Sequence, residues 1–401
     1  MKIKILLCAS LLTTAVIGGC RTPIKEVRTP YDSPLPPGQY ALRKITNPHE
    51  IPDFTMACLD LADLRTAINN SLNYLRKPSS RRFFPSGQIT HSLAVDSLNE
   101  FAKMLDSGLT GRQLNEAIRN RFNVYMSVGC DGRGTVLFTG YYTPIFNGSL
   151  ERSERFRYPL YTTPDDLVKG PDGQILGRRQ ADGKISPYPP RAVIENSLML
   201  RGKELAWLSD PFEAYIAHVQ GSAKLRLPDG KMINVGYSAN NGHEYKSVAE
   251  ELVRDGRISG ERISLSAMID YFKMHKEQVD NYLRRNPRFV FFKKEDSPPL
   301  GCLNEPVTPM RTIATDKSIF PRGCLTFIST SLPSIVGGSA VNQLYSGFVL
   351  DQDAGGAIRA PGRCDVYLGQ GETAGKLAGQ TYQEGRLYYL FLKSTANIGG
   401  F

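Results

Sequence analysis

The chain has 401 residues, of which 41% are apolar and 22% charged, and a formal net charge of +10. That composition excludes a disordered or fibrous chain, and at roughly 150 residues per domain the length allows two or three domains. The 37 glycines and 26 prolines favour a β-rich or loop-rich body over a helical bundle. His49, His91, His218, His243 and His275 form neither an HExxH nor a zinc-finger spacing, so no metal site is expected.

Lys2 and Lys4 precede a mostly apolar run from Ile5 to Val16, too short to span a bilayer and suited to a signal peptide. The run ends in Ile17-Gly18-Gly19-Cys20, which resembles a bacterial lipoprotein cleavage box. Residues 1–19 are therefore expected to be removed and Cys20 to carry lipid, an anchor without a membrane span. Arg21, rather than Asp, favours the outer membrane by analogy with known lipoproteins. Pro23, Pro30, Pro34, Pro36 and Pro37 make residues 20–38 read as an extended tether. Cleavage removes Lys2 and Lys4 and no acid, so the mature chain stays basic. That charge suits an acidic polymer, while the compartment and the lack of a dense Lys/Arg run argue against nucleic acid.

Beyond the tether, apolar spacing predicts helices over 58–75 and 94–121, with a stop at Gly108. Strands are expected at 125–128 and 135–139, and short ones near 157–161, 224–227 and 233–237. A helix over 246–254 ends at Gly256. Leu265, Met268, Ile269, Phe272, Val279, Tyr282 and Leu283 then form one helical stripe, stopped by Asn286-Pro287. Strands at 288–292, 324–329, 345–351, 363–368 and 386–392 follow, as in a small barrel. Cys58, Cys130, Cys302, Cys324 and Cys364 lie outside the signal and anchor. An odd number leaves at least one thiol free or paired between chains. Cys302–Cys324 is the expected disulfide, with single buried thiols as the alternative.

Gly369-Gln370-Gly371-Glu372-Thr373-Ala374 fits a loose dinucleotide pattern but lacks the βαβ setting, so no cofactor is expected. The chemistry concentrates instead in Phe348-Val349-Leu350-Asp351-Gln352-Asp353, a glycine-bearing loop, and Arg363-Cys364-Asp365-Val366-Tyr367. Strand alternation puts Cys364 and Val366 on one side and Asp365 and Tyr367 on the other. A carboxyl beside an aromatic, with a second carboxyl within reach across the loop, has the ingredients of a raised pKa and of a general acid. The alternative is a plain turn, which Asp near Gly usually marks.

Seven segments in order resemble the membrane-bound lytic murein transglycosylase A family. They include Thr139-Gly140-Tyr141-Tyr142-Thr143-Pro144, Tyr158-Pro159-Leu160-Tyr161, Pro189-Pro190-Arg191-Ala192 and His218-Val219-Gln220-Gly221-Ser222-Ala223. They continue with Tyr237–Tyr245, Asn286–Phe292 and Ala314-Thr315-Asp316-Lys317-Ser318. The resemblance covers roughly residues 125–392 and implies a mainly β fold with N-terminal helices. A double-psi β-barrel domain would carry a smaller inserted β-rich domain, with a glycan groove between them. The implied division is 39–144 for the helices and first part of the barrel, 145–290 for the insert and 291–401 for the rest.

The implied reaction is cleavage of the β-1,4 bond between N-acetylmuramic acid and N-acetylglucosamine in peptidoglycan, leaving 1,6-anhydro ends. Asp365 matches the catalytic acid and base, and Asp353 and Asp316 match supporting aspartates, with loop closure as the alternative for both. Gln220, Gly221 and Ser222 would line the groove, Tyr141 would be a sugar platform or core residue, and Tyr237 would touch the glycan. His243 reads as structural. The resemblance implies no cofactor and no metal. It implies an outer-membrane lipoprotein facing the periplasm, with the glycan strand and other cell-wall enzymes as partners. A hydrolytic muramidase and a non-catalytic wall-binding lipoprotein are the competing readings. Two departures from the family stand out: the loop between Asp353 and Asp365 is slightly longer, and Cys364 replaces an aromatic.

Overall fold

The structure, a computed structural model, describes residues 30–171, 173–259 and 265–393. The signal peptide and Cys20 lie outside the described residues. The chain begins with β1 (Leu42–Lys44), α1 (Leu64–Arg76), α2 (His91–Asp106), α3 (Gly111–Arg121), β2 (Phe122–Ser127) and β3 (Val136–Thr143). Next come β4 (Ile145–Ser149), β5 (Tyr158–Tyr161), β6 (Leu167–Lys169), β7 (Ile175–Arg179), β8 (Ile185–Ser186), α4 (Arg191–Glu195), β9 (Glu204–Leu208), α5 (Pro211–Gln220), β10 (Ser222–Arg226) and β11 (Met232–Asn240). After α6 (Val248–Arg254), α7 (Leu265–Met274), α8 (Val279–Leu283) and β12 (Val290–Glu295), the chain finishes with β13 (Thr312–Ala314), β14 (Leu325–Val336), β15 (Ser339–Asp353), β16 (Arg363–Gln370), α9 (Gly371–Gln380) and β17 (Tyr382–Leu392).

Six strands close on themselves in the order β3, β17, β14, β15, β13, β16 and back to β3, while β2 and β1 extend the sheet from β17. Closure removes the free edge that an open sheet would expose. Two ladders, β13–β15 and β16–β3, are parallel; the other barrel ladders are antiparallel. Inward positions are large and apolar: Phe138, Phe327, Phe348, Leu350, Val366 and Leu390 are each at most 1% exposed. Burying such side chains is the main favourable term holding the wall shut. α1 lays Leu64, Ala67, Ile68, Leu72 and Leu75 against this core at three- and four-residue spacing. Buried Gln352 ties α1 to the barrel, its Nε2 donating to Ala67 O at 2.7 Å and Ser71 Oγ at 3.0 Å. The architecture is thus mainly β, with N-terminal helices, a closed barrel and a further β-rich region, as the sequence led us to expect.

That further region lies between β3 and β13. It contains a six-stranded sheet, β12-β11-β10-β4-β9-β5, and a three-stranded one, β6-β7-β8. α5 packs on the larger sheet through Ala214 and Ala217, against Ala223, Leu225, Val235 and Phe292. Buried His218 on α5 is a structural histidine. Its Nδ1 accepts from Val290 N at 3.0 Å, and burial holds the ring well below the usual histidine range and hence neutral.

Several expectations need correction. The stripe over 265–283 is two helices, α7 and α8, because His275 leaves helical geometry at φ −129° and ψ 57°. The expected helix over 94–121 divides into α2 and α3, with Gly108 and Gly111 both at positive φ. The tether is not extended at its described end. Ser33 N bonds Pro30 O, Gln39 N bonds Pro36 O, and Leu35 packs on the core. α5 escaped prediction because Phe212, Ala214, Tyr215, Ile216, Ala217 and His218 are all buried, which erases the amphipathic period. Its start was legible in Asp210-Pro211: the Asp210 carboxylate caps Phe212 N at 2.7 Å and Pro211 opens the first turn.

Candidate active site

Ala314 on β13 pairs with Asp353 of β15 on one side and with Asp365 of β16 on the other. A register shift puts Asp353 in that place: Ile313 faces Asp351 and Ala314 faces Asp353, so Gln352 is the extra residue of a bulge. Bulges re-aim the side chains beside them, here the terminal carboxylate of β15. β16 itself is regular around Asp365, which pairs with Thr139 in the parallel ladder to β3. Cys364 and Val366 are fully buried, and Asp365 stands between them on the opposite face of the strand, as alternation requires.

Burial is the main influence on the Asp365 carboxyl and pushes it up to about 7. The Arg363 guanidinium and a hydrogen bond with Thr139 pull the other way, and the Asp353 charge adds to the rise. Among the described residues, Asp365 Oδ1 is buried with no hydrogen-bond partner. The group is therefore about half protonated near neutrality and has one oxygen uncommitted.

Asp353 is committed. Its Oδ2 accepts from Tyr141 Oη at 2.8 Å, and its Oδ1 accepts from Cys302 N at 2.9 Å and Ala354 N at 2.8 Å. Burial raises this carboxyl too, against the pull of those donors. Asp316 is 7% exposed; its Oδ1 takes Ser318 N at 3.0 Å and Ser318 Oγ at 2.6 Å, and its Oδ2 takes Ala360 N at 2.9 Å. Ala360 sits at φ +66°, an uncommon conformation for a non-glycine residue. Asp316 thus clamps the loop that joins Asp353 to Asp365. On the insert side of that loop Gly356 lies against the Arg288 guanidinium, where a Cβ would come within 2.9 Å of Nε.

The other expected residues gather where α5 meets β3. Gln220 Oε1 accepts from Tyr142 N at 3.0 Å, and Ser222 Oγ lies 3.5 Å from Thr143 Oγ1. Gly221, at φ +74°, ends α5, its amide bonding Ala217 O. The Tyr141 ring lies 5.1 Å from that of Tyr367, whose Oη is 2.9 Å from Thr143 Oγ1. Tyr237 is 45% exposed on β11, with its Oη accepting from Asn240 Nδ2 at 2.6 Å. His243 Nε2 is bonded to Tyr188 O at 2.7 Å. One pair carried no role in the sequence reading: Lys317 Nζ donates to Asp351 Oδ1, both side chains being almost wholly buried. Asp351 Oδ2 also accepts from Thr315 Oγ1 at 2.8 Å and Tyr389 Oη at 2.7 Å.

With this geometry in hand, similarity to known proteins is specific. Residues 137–293 match the MltA specific insert domain, and residues 311–391 match the 3D domain. The membrane-bound lytic murein transglycosylase A of Vibrio cholerae is 30% identical over 271 residues, covering 67% of this chain and 68% of that protein. The chain belongs to the membrane-bound lytic murein transglycosylase A family. Its fold is similar to the crystal structure of the membrane-bound lytic murein transglycosylase from Agrobacterium tumefaciens. The TM-score is 0.74 at 26% identity, over 88% of this chain and 98% of that one. It is also similar to Escherichia coli MltA with bound chitohexaose, with a TM-score of 0.64 at 26% identity, over 82% and 90% of the two chains.

Within this family frame, the 3D match carries Asp316, Asp353 and Asp365, and the insert match carries Tyr141, Gln220, Gly221, Ser222 and Tyr237. The expected Cys302–Cys324 disulfide is absent: all five cysteines among the described residues are free. The two thiols are turned to different carbonyls, Cys302 Sγ to Gln352 O and Cys324 Sγ to Arg322 O, each at 3.6 Å. Cys364 is fully buried in the barrel wall. Among the described residues no helix is long and apolar enough to cross a membrane.

Proposed function

We propose that this chain cleaves the β-1,4 bond between N-acetylmuramic acid and N-acetylglucosamine in peptidoglycan without water, leaving 1,6-anhydro ends. The observation that carries the reading is the uncommitted, buried Oδ1 of Asp365 on a carboxyl pushed up to about 7. Protonated, Asp365 donates to the glycosidic oxygen as the bond breaks. The carboxylate left behind takes the proton of the muramic acid C6 hydroxyl as that oxygen attacks C1. The attacking group is part of the substrate, so it is already positioned and outcompetes water. Ordinary glycosidases need two carboxylates, one as acid and one as base or nucleophile. Here the second candidate, Asp353, has both oxygens filled by Tyr141, Cys302 N and Ala354 N, which favours a single-carboxylate route.

In this reading Asp353 positions Tyr141 and adds like charge, and Asp316 holds the loop. Gln220, Gly221 and Ser222 fix the insert beside the site, and Tyr237 offers an exposed ring to the glycan. In place of a division at 290, the insert runs from β4 through β12, Ile145–Glu295, and β13 to β17 complete the barrel. Glycan binding is supported by the chitohexaose held by the Escherichia coli relative. Lipid on Cys20 would hold the enzyme to the outer membrane, facing the periplasm, beside the wall and other wall enzymes.

Mass spectrometry of digested peptidoglycan tests the chemistry, because anhydro ends weigh one water less than reducing ends. Reducing ends alone would establish the hydrolytic muramidase instead. Asp365→Asn keeps the side-chain size and removes the acid. A rate loss of at least about a hundredfold is expected, the order of a missing general acid. Equal release by the wild type and this variant would refute the assignment.

A further inference from the structure

β17 pairs with β14 only as far as Ser329. Beyond it β14 and β15 pair with each other alone, out to Val336 and Ser339. The ribbon turns at Gly337-Gly338, both at positive φ, which suits a tight two-residue hairpin. Its tip is apolar and open to solvent: Ile335, Val336 and Val341 are 44%, 50% and 46% exposed, while Leu344, 94% exposed, lies at the base of the ribbon opposite Ser331. Cross-strand partners share a face and faces alternate, so Val336 and Val341 lie on one face and Ile335 and Leu344 on the other. No charged residue occurs from Gly323 to Leu350, in a chain that is 22% charged.

An exposed apolar ribbon marks an interaction surface, and left uncovered it invites aggregation. A protein surface would cover one face of such a wedge. A hydrocarbon layer surrounds both. The chain preceding the described residues also enters here. Tyr31 Oη donates to Glu384 Oε1 at 2.5 Å, and Thr330 Oγ1, where the free ribbon begins, donates to Glu384 O at 3.0 Å. At about 3.1 Å per residue, the ten steps from Cys20 to Pro30 can span up to roughly 30 Å. The ribbon from Thr330 to Val336 reaches about 20 Å. An anchor on Cys20 can therefore lie in the same plane as the tip.

We infer that the β14–β15 hairpin tip is a second membrane contact, with Ile335, Val336 and Val341 entering the acyl layer beside the lipid on Cys20. The inference rests on the lipid-anchor reading. Together the two contacts fix the height and tilt of the enzyme above the bilayer, which one flexible tether cannot do.

The test uses the full-length protein purified from bacterial membranes and reconstituted into phosphatidylcholine vesicles, with or without brominated acyl chains. Mass analysis of the N-terminal peptide reads acylation of Cys20 separately. Val336→Trp adds a reporter to the single native Trp207. Brominated lipid is expected to quench the added emission strongly and the wild-type emission little. Ile335→Asp is expected to speed transfer to acceptor vesicles roughly tenfold or more, as one aliphatic side chain leaves hydrocarbon. Acylated, vesicle-bound protein with an unquenched Trp at 336 and an unchanged transfer rate overturns the inference and leaves the anchor standing. An unacylated Cys20 overturns both. A wild type that sediments as a dimer and an Ile335→Asp variant that sediments as a monomer would assign the tip to a second copy of the chain and overturn the membrane contact.

Discussion

Asp353 and Asp365 flank a single residue, Ala314, to which both are paired across adjacent ladders of the barrel wall. With strands about 4.8 Å apart, the two backbones are separated by roughly 10 Å. That spacing lets the charge of Asp353 raise Asp365 while leaving Asp365 Oδ1 without a partner.

Cleavage should therefore fall as pH rises through about 7, where Asp365 loses its proton. Initial rates of muropeptide release across the neutral range give the limb. Asp353→Asn removes the neighbouring charge and should move that limb to lower pH. A wild-type rate that keeps climbing well above pH 7 contradicts the role of Asp365 as acid.

The same carboxyl predicts a stability effect. The folded state holds the Asp365 proton more tightly than the unfolded chain, whose carboxyl titrates near 3.8. Stability contributed by the protonated group is thus full below that value and is lost as pH rises from there through about 7. Asp365→Asn does not titrate, so its Tm relative to wild type should be higher at pH 8 than at pH 4. Thermal unfolding at the two values checks the sign, and an equal difference at both would count against it.

Tyr141→Phe deletes one donor to Asp353 and leaves the ring in place. The loss of one hydrogen bond to a charged group is worth about 1.5–3 kcal/mol, so a fall in kcat of roughly tenfold or more is expected if Asp353 positions the site. The limb of the pH profile should shift with it, because Asp353 loses a donor that holds its carboxyl down. A change in KM alone would make Tyr141 a sugar platform and nothing more.

Lys317→Met should destabilise the barrel by about 3–5 kcal/mol, because it strands the buried Asp351 charge. The double change Lys317→Met with Asp351→Leu should cost much less than the sum of the single changes. Urea unfolding of all four proteins completes the cycle, and simple additivity would show the pair to be uncoupled.

The aspartates were legible in the sequence because they sit in dense, glycine-punctuated motifs whose strand parity survives folding. Asp365 stands where alternation put it. The bulge at Gln352 was not legible, since one extra residue in a ladder shows only against its partner strand. Nor was the bond from Tyr141 to Asp353, which joins residues 212 apart. α5 was hidden by burial on all sides, and the Lys317–Asp351 pair by the distance along the chain between its members. The disulfide expectation failed because counting cysteines says nothing about where their thiols point.

By itself, the sequence determined the family resemblance, the mainly β class and which carboxyls to watch, because residue type and local spacing carry those directly. Tertiary structure alone decided that Asp365 keeps a free oxygen while Asp353 and Asp316 spend theirs. It also set the base of the apolar ribbon beside Tyr31, near the start of the described chain. Commitment and burial are properties of neighbours, and neighbours are assigned only when the barrel closes.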